Sequence, residues 1–283
     1  MKKNGQYLQL FLYVIVFSAA IPFFSCTPRS KLSRRNVEAT TGIDLAAFNR
    51  NLKIARELAI DDKIAWISTD SILSRKFSHL DSLDSTWFVC KYDNRRFAYY
   101  GRYDEEKEQY YPKYAFVSTD DSTISKLPSD TGDTGDIASF YAKMVTAGSH
   151  HFKTVVDSLQ LDIHYNHYIR TAPDGNCTMW FLPAGYRNYC AQGIEVRITI
   201  DKVSGTVTGH SVAGSLLHYF EIDKPSKPVE LDNSWSATPS VGNIFFVLRN
   251  RDTFDTIRIR NRHSVSSLEY TDDGTWRWVH TAR

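Results

Sequence analysis

The stretch from Asn176 to Asp223 constrains the fold most. It carries the densest strand signal in the chain and lies between two helix-like regions and a β-rich C-terminus. Asn176–Leu182 sets large apolar residues on both alternating faces, which suits a strand covered on both sides. Pro183-Ala184-Gly185 then breaks it with turn residues. Ile194, Val196, Ile198 and Ile200 alternate with Glu195, Arg197, Thr199 and Asp201, which predicts a strand with one face on a core and one in water. Asp201–Gly205 reads as a loop with glycine at a positive-φ position, and Thr206–Val212 as the returning strand. In a regular hairpin closed by Asp201 and Thr206, Ile200 meets Val207 on the buried face. Arg197 then meets His210 on the wet face, close to Glu195.

The flanks complete an α+β pattern. Leu45, Phe48, Leu52, Ala55 and Leu58 recur at helical steps, capped by Thr41 or Asp44, over a helical region spanning 44–76. The Asp61-Asp62 pair predicts a break, with a second piece from Ile64 to Leu73. Trp87–Tyr92 and Phe97–Gly101 flank Asp93-Asn94-Arg95 as a hairpin, with a third strand over Tyr114–Ser118. Residues 137–159 are helical, with Gly148 and His150-His151 as an expected interruption, followed by a strand over Ile163–Ile169. Residues 224–242 read as a surface loop. Asn243–Leu248, Phe254–Arg260, Val265–Tyr270 and Trp276–Val279 read as strands, the last two joined by a turn at Asp272–Gly274. The expected architecture is two helical regions packed on an antiparallel, hairpin-rich sheet.

The N-terminus reads as an address. Lys2 and Lys3 precede an apolar run from Leu8 to Phe24, and Cys26 follows directly after the small Ser25. This resembles a bacterial lipoprotein signal, which implies cleavage after residue 25 and acylation of Cys26. Phe23 and Phe24 depart from the usual lipobox, where only Ser25 fits; an uncleaved anchor or an ordinary cleaved signal are the alternatives. Residues 26–41 then form a flexible basic tether, and 42–283 a single globular domain. Several acyl chains would hold the body at a membrane of the cell envelope, facing the periplasm. The whole chain of 283 residues has a net charge of +2, but residues 1–35 hold six basic residues and no acid. Setting those aside leaves 28 basic residues against 32 acidic ones, about −4, which excludes the basic field that nucleic-acid binding wants.

Several clusters could carry chemistry. Gly209-His-Ser-Val-Ala-Gly214 resembles the nucleophile elbow of α/β-hydrolases, which implies Ser211 as nucleophile, His263 or His280 as base and Asp232 or Asp252 as orienting acid. The required strand–turn–helix context is missing from the pattern, and no segment supplies an oxyanion hole. His150, His151 and His164 are candidate zinc ligands, although His164 and His167 point to opposite faces of a strand. Ser129–Asp136 holds two Asp-Thr-Gly copies, readable as a calcium loop, as an aspartic-protease motif, or as a polar loop whose last acids cap the next helix. Arg258, Arg260 and Arg262 share one strand face, suited to an anion or to a solvated sheet edge. A hairpin centred on Pro183-Ala184 sets Cys177 opposite Cys190 as a disulfide in an oxidising compartment, and leaves Cys90 as a buried thiol. No catalytic set converges and no cofactor is implied. The first expectation is therefore a non-catalytic binding or scaffold module for an envelope protein or small ligand; the second is a serine hydrolase using Ser211. The order of strands and turns resembles uncharacterised bacterial envelope proteins, which implies no activity.

Overall fold

Helix α1 (Leu45–Leu73) starts at Asp44, whose side chain accepts the Ala47 backbone N–H at 2.9 Å. The computed structural model describes residues 40–74, 86–128, 135–161, 163–172, 174–185, 188–222 and 228–283. The leader, Cys26, most of the tether and most of the Asp-Thr-Gly repeat lie outside them. α1 does not break at Asp61-Asp62. Both acids are buried against partners, so the helix passes through them without solvating either.

Strands β1 (Thr86–Tyr92), β2 (Arg95–Asp104), β3 (Gln109–Ser118) and β4 (Ser125–Lys126) form an antiparallel sheet in that order. The first hairpin closes through Asp93 and Asn94, both at positive φ (48° and 56°), as a two-residue primed turn requires. Helix α2 (Gly135–Leu159) follows, unbroken through Gly148 and the two histidines. A second antiparallel sheet runs β5-β6-β8-β9, from β5 (Tyr165–Thr171), β6 (Cys177–Pro183), β8 (Glu195–Ile200) and β9 (Val207–Ala213). Strand β7 (Tyr189–Gln192) leaves that sheet and pairs with β10 (His218–Glu221).

The edge strands β1 and β5 lie side by side, so the two four-stranded sheets meet edge to edge. α2 covers one face of both. Tyr141, Met144 and Val145 pack on Phe88 and Tyr99 of the first sheet and on Met179, Val196 and Ile198 of the second. α1 covers the opposite face. Its Phe48, Leu52 and Leu58 meet Tyr168, Trp180 and Leu182, and its Ile64 and Ile72 meet Val89, Ala98 and Phe116. Burying large side chains on both faces of β6 is what its unbroken apolar run anticipates.

The C-terminal part differs more from expectation. Asn243–Leu248 is not a strand but the centre of helix α3 (Val241–Asn250). An apolar run buried nearly all round does not reveal its period, whereas the capping box of Ser240 and Asn243 fixes a helix start. Strand β11 (Val229–Asn233) lies within the expected loop. It pairs in parallel with β12 (Ile257–Asn261), and α3 makes the crossover between them. β13 (Ser264–Tyr270) and β14 (Trp276–Ala282) complete this sheet in the order β11-β12-β13-β14. Among the described residues, three helices and 14 strands, nearly all antiparallel, make the fold α+β.

The expected Cys177–Cys190 disulfide does not form, and both residues are free thiols, as is Cys90. β6 pairs with β8 rather than β7, so Cys177 lies opposite Ile200 while Cys190 goes to the β7/β10 ribbon. Among the described residues no helix is long and apolar enough to cross a membrane.

Candidate functional site

The neighbouring acids of α1 look in different directions, because successive helical residues are turned about 100° apart. Asp61 points to the junction of the two sheets. It accepts from Arg96 of β2 at 2.8 Å and from Arg170 of β5 at 3.1 Å. Glu57, one turn earlier, accepts from the same two guanidinium groups at 2.7 and 2.5 Å, with Lys91 3.6 Å away. Asp121 takes the remaining arm of Arg96. Burial pushes Asp61 up to about 6 against the pull of Arg170 and Arg96. Burial also raises Glu57, but Arg170, Arg96 and Lys91 together hold it below its ordinary value. This network ties both sheets to α1, and its groups are fully engaged with one another.

Asp62 turns the other way. The Tyr168 hydroxyl donates to it at 2.6 Å and Arg249 of α3 approaches to 3.2 Å. Arg249 also stacks over the ring of Trp66, 5.7 Å from its centroid, although Trp66 itself is 54% exposed. Arg249 and Trp66 form one lip of a cleft of about 320 Å³ whose walls come from α3, the end of β6 and strand β7.

Leu182, Phe245 and Phe246 make the cleft apolar, and a few polar groups punctuate it. Cys190 donates its thiol to Asn250 Oδ1 at 3.0 Å, and Asn250 Nδ2 donates to the Phe246 carbonyl at 2.8 Å, which locks that amide. Burial pushes the Cys190 thiol up, with Arg249 pulling weakly the other way. Gln192 is 5% exposed, and its Oε1 is sealed from solvent with no hydrogen-bond partner among the described residues. At the inner end the Gly242 N–H donates to Glu195 Oε2 at 2.7 Å. A Cβ on Gly242 would stand 2.7 Å from that oxygen, so only glycine lets the first turn of α3 come this close. Burial raises Glu195, with the Gly242 N–H and the positive end of the helix opposing it.

The residues singled out from sequence fall elsewhere. Ser211 lies inside β9, opposite Arg197, and not on a strand-to-helix turn, so the elbow geometry is absent. Asp232 accepts from the Ser234 N–H at 3.2 Å and from Arg260 at 3.3 Å, and among the described residues no histidine hydrogen-bonds to it. His263 is exposed at the β12–β13 turn, and Asp252 pairs with Arg251 at 3.6 Å. His280 Nδ1 is 2.9 Å from Ser266 Oγ, but Ser266 is sealed in the sheet interior and also accepts from Asn261. Among the described residues no three His, Cys, Asp or Glu side chains converge as metal ligands, so His150, His151 and His164 are not brought together. His167 turns inward, with Nε2 2.7 Å from the Trp87 carbonyl, and burial lowers it to about 4. Arg258 and Arg260 do share a face, but β12 is an interior strand, and Arg262 lies beyond its end and donates to the Trp235 carbonyl at 2.7 Å. Glu230 and Asp232 of β11 stand opposite Arg258 and Arg260, which answers the expectation of an edge.

Trp66, Gln192, Arg249 and Asn250 went unnoticed in the sequence, and Cys190 was read there only as a disulfide partner. They come from three separate regions, and no short motif links them. No protein-family model, curated protein or solved structure matches this chain.

Proposed function

We propose that this protein is a non-catalytic binding module, held at a membrane of the bacterial cell envelope through an acylated Cys26, with its ligand site in the cleft beneath α3. The ligand class is a small, largely apolar molecule carrying a hydrogen-bond donor. The observation that carries this reading is Gln192 Oε1, a sealed acceptor without a partner in the wall of an apolar cleft. Burying such a group unpaired costs about 1–3 kcal/mol, which a donor on the ligand would recover once the Gln192 side chain turns its amide into the cleft. The Cys190 thiol supports binding over nucleophilic chemistry. Its partner is an amide rather than a base, and burial keeps it protonated.

Ligand-observed NMR on the full chain with a set of aromatic amides and amines tests the cleft. Thr253 lies on its wall. Thr253→Trp fills the space and abolishes binding, and Gln192→Leu weakens donor-bearing compounds about tenfold. Compounds that bind wild type and Thr253→Trp equally, or no binders at all, overturn the reading. Mass spectrometry of the mature protein tests the anchor separately: a first residue other than acylated Cys26 removes it and leaves the cleft reading untouched.

A further inference from the structure

Strand β9 does not follow a regular hairpin register. Ile200 stands opposite Val207, but Thr199 stands opposite Gly209, so Thr208 is an extra residue in the returning strand. One inserted residue exchanges the faces of every side chain beyond it. His210 therefore lies opposite Ile198, whose face packs on α2, and not opposite Arg197. The bulge aims His210 at α2, where His151 meets it. His151 Nε2 and His210 Nδ1 are 3.1 Å apart, and the ring centres are 5.0 Å apart.

We propose that His151 and His210 form a binding site for a divalent transition-metal ion, with Cu²⁺ held most tightly. Two imidazole nitrogens on one ion, each about 2.0–2.1 Å from it, stand about 3.3 Å apart in tetrahedral geometry and about 2.8 Å apart at a square-planar corner. The observed separation falls between those values, so the pair already has the bite of a chelate. Among the described residues neither imidazole meets an acid or an amide that would hold its nitrogen: the hydrogen bond of each ring is the one to the other. A lone pair and one shared proton occupy the space an ion would take. Among the described residues no third His, Cys, Asp or Glu completes the set. The remaining positions fall to water, which leaves the ion open to an incoming ligand atom. Imidazole donors favour copper, nickel and zinc over magnesium or calcium. The site is separate from the α3 cleft and does not depend on it.

Isothermal titration of the untagged full chain with Cu²⁺, Zn²⁺ and Mg²⁺ salts tests this, with electron paramagnetic resonance on the copper form. The expected result is one Cu²⁺ per chain with two nitrogen donors, weaker Zn²⁺ binding and no heat with Mg²⁺. His151→Ala and His210→Ala each weaken Cu²⁺ at least tenfold with an unchanged circular dichroism spectrum. His150→Ala, about 100° around the helix, leaves binding intact. Copper affinity retained in His210→Ala, lost in His150→Ala, or accompanied by fewer than two nitrogen donors overturns the proposal.

Discussion

Arg96 Nε donates to Asp61 Oδ1 at 2.8 Å, and the two side chains are 2% and 1% exposed. Arg96 also reaches Glu57 and Asp121, so one guanidinium on β2 uses all three of its nitrogens on carboxylates. Removing it leaves the buried Asp61 matched only in part, by Arg170, which costs about 3–5 kcal/mol. Arg96→Met is expected to lower stability by that amount in urea unfolding. Arg96→Lys rescues little, because a single ammonium cannot serve three separated acceptors. Asp61→Asn costs less than Arg96→Met, since Arg96 keeps Glu57 and Asp121. A lysine variant as stable as wild type would show that the fork geometry is irrelevant.

Asp61 also gives a pH signature. Its folded value of about 6 lies above its ordinary 3.8, so the native state binds its proton more tightly than the unfolded chain. Its contribution to stability is therefore present at low pH and is lost as pH rises through about 6. Burial lowers His167 to about 4 and also lowers His280, and these groups act in the opposite sense over the same range. The clean observable is the stability difference between wild type and Asp61→Asn, measured by urea unfolding from pH 4.5 to 6.5. The difference should move steadily in favour of Asp61→Asn as pH rises. A constant difference, or one moving toward wild type, contradicts the assignment.

The apolar face of the strand over Ile194–Ile200 and the hairpin at Asp93-Asn94-Arg95 were legible because local patterns fix them, although Glu195, expected in water, is buried and Arg95 already belongs to β2. Asp61-Asp62 was not legible. Adjacent acids in mid-helix look like a break unless their partners are known, and those partners lie 35 and 109 residues away for Asp61. Asn243–Leu248 failed for another reason, since an all-apolar run has no period to read. The Thr208 bulge leaves no local mark either, yet it decides which face His210 takes. The cleft was invisible because Trp66, Gln192 and Arg249 meet only after α1, β7 and α3 are placed.

Gly148 suggested a helix interruption, but its function is contact. A Cβ there would lie 2.3 Å from Met179 Sδ and 3.2 Å from Ile200 Cδ1, where α2 crosses the second sheet. Helix propensity alone makes Gly148→Ala stabilising by about 1 kcal/mol. Overpacking against the fully buried Met179 acts against this and costs about 1–3 kcal/mol. The thermal midpoint of Gly148→Ala is expected to fall, and Met179→Ala in the same chain should recover part of the loss. A rise in the midpoint would mean that α2 stands further from the sheet.

The three described cysteines separate by exposure. Cys90 and Cys177 are fully buried, whereas Cys190 is half-buried at the cleft wall, hydrogen-bonded to Asn250. Of these three, iodoacetamide should label Cys190 alone in the native protein, more slowly than a free thiol because burial favours the unreactive protonated form. Asn250→Ala removes the thiol's acceptor, and Arg249→Gln removes the nearest positive charge; the latter should slow labelling further, because Arg249 favours the thiolate. Denaturation exposes Cys90 and Cys177 without added reductant. Peptide mapping by mass spectrometry reads all of this, and a Cys177–Cys190 disulfide peptide from unreduced protein would require β6 and β7 to pair, contrary to the observed sheet order.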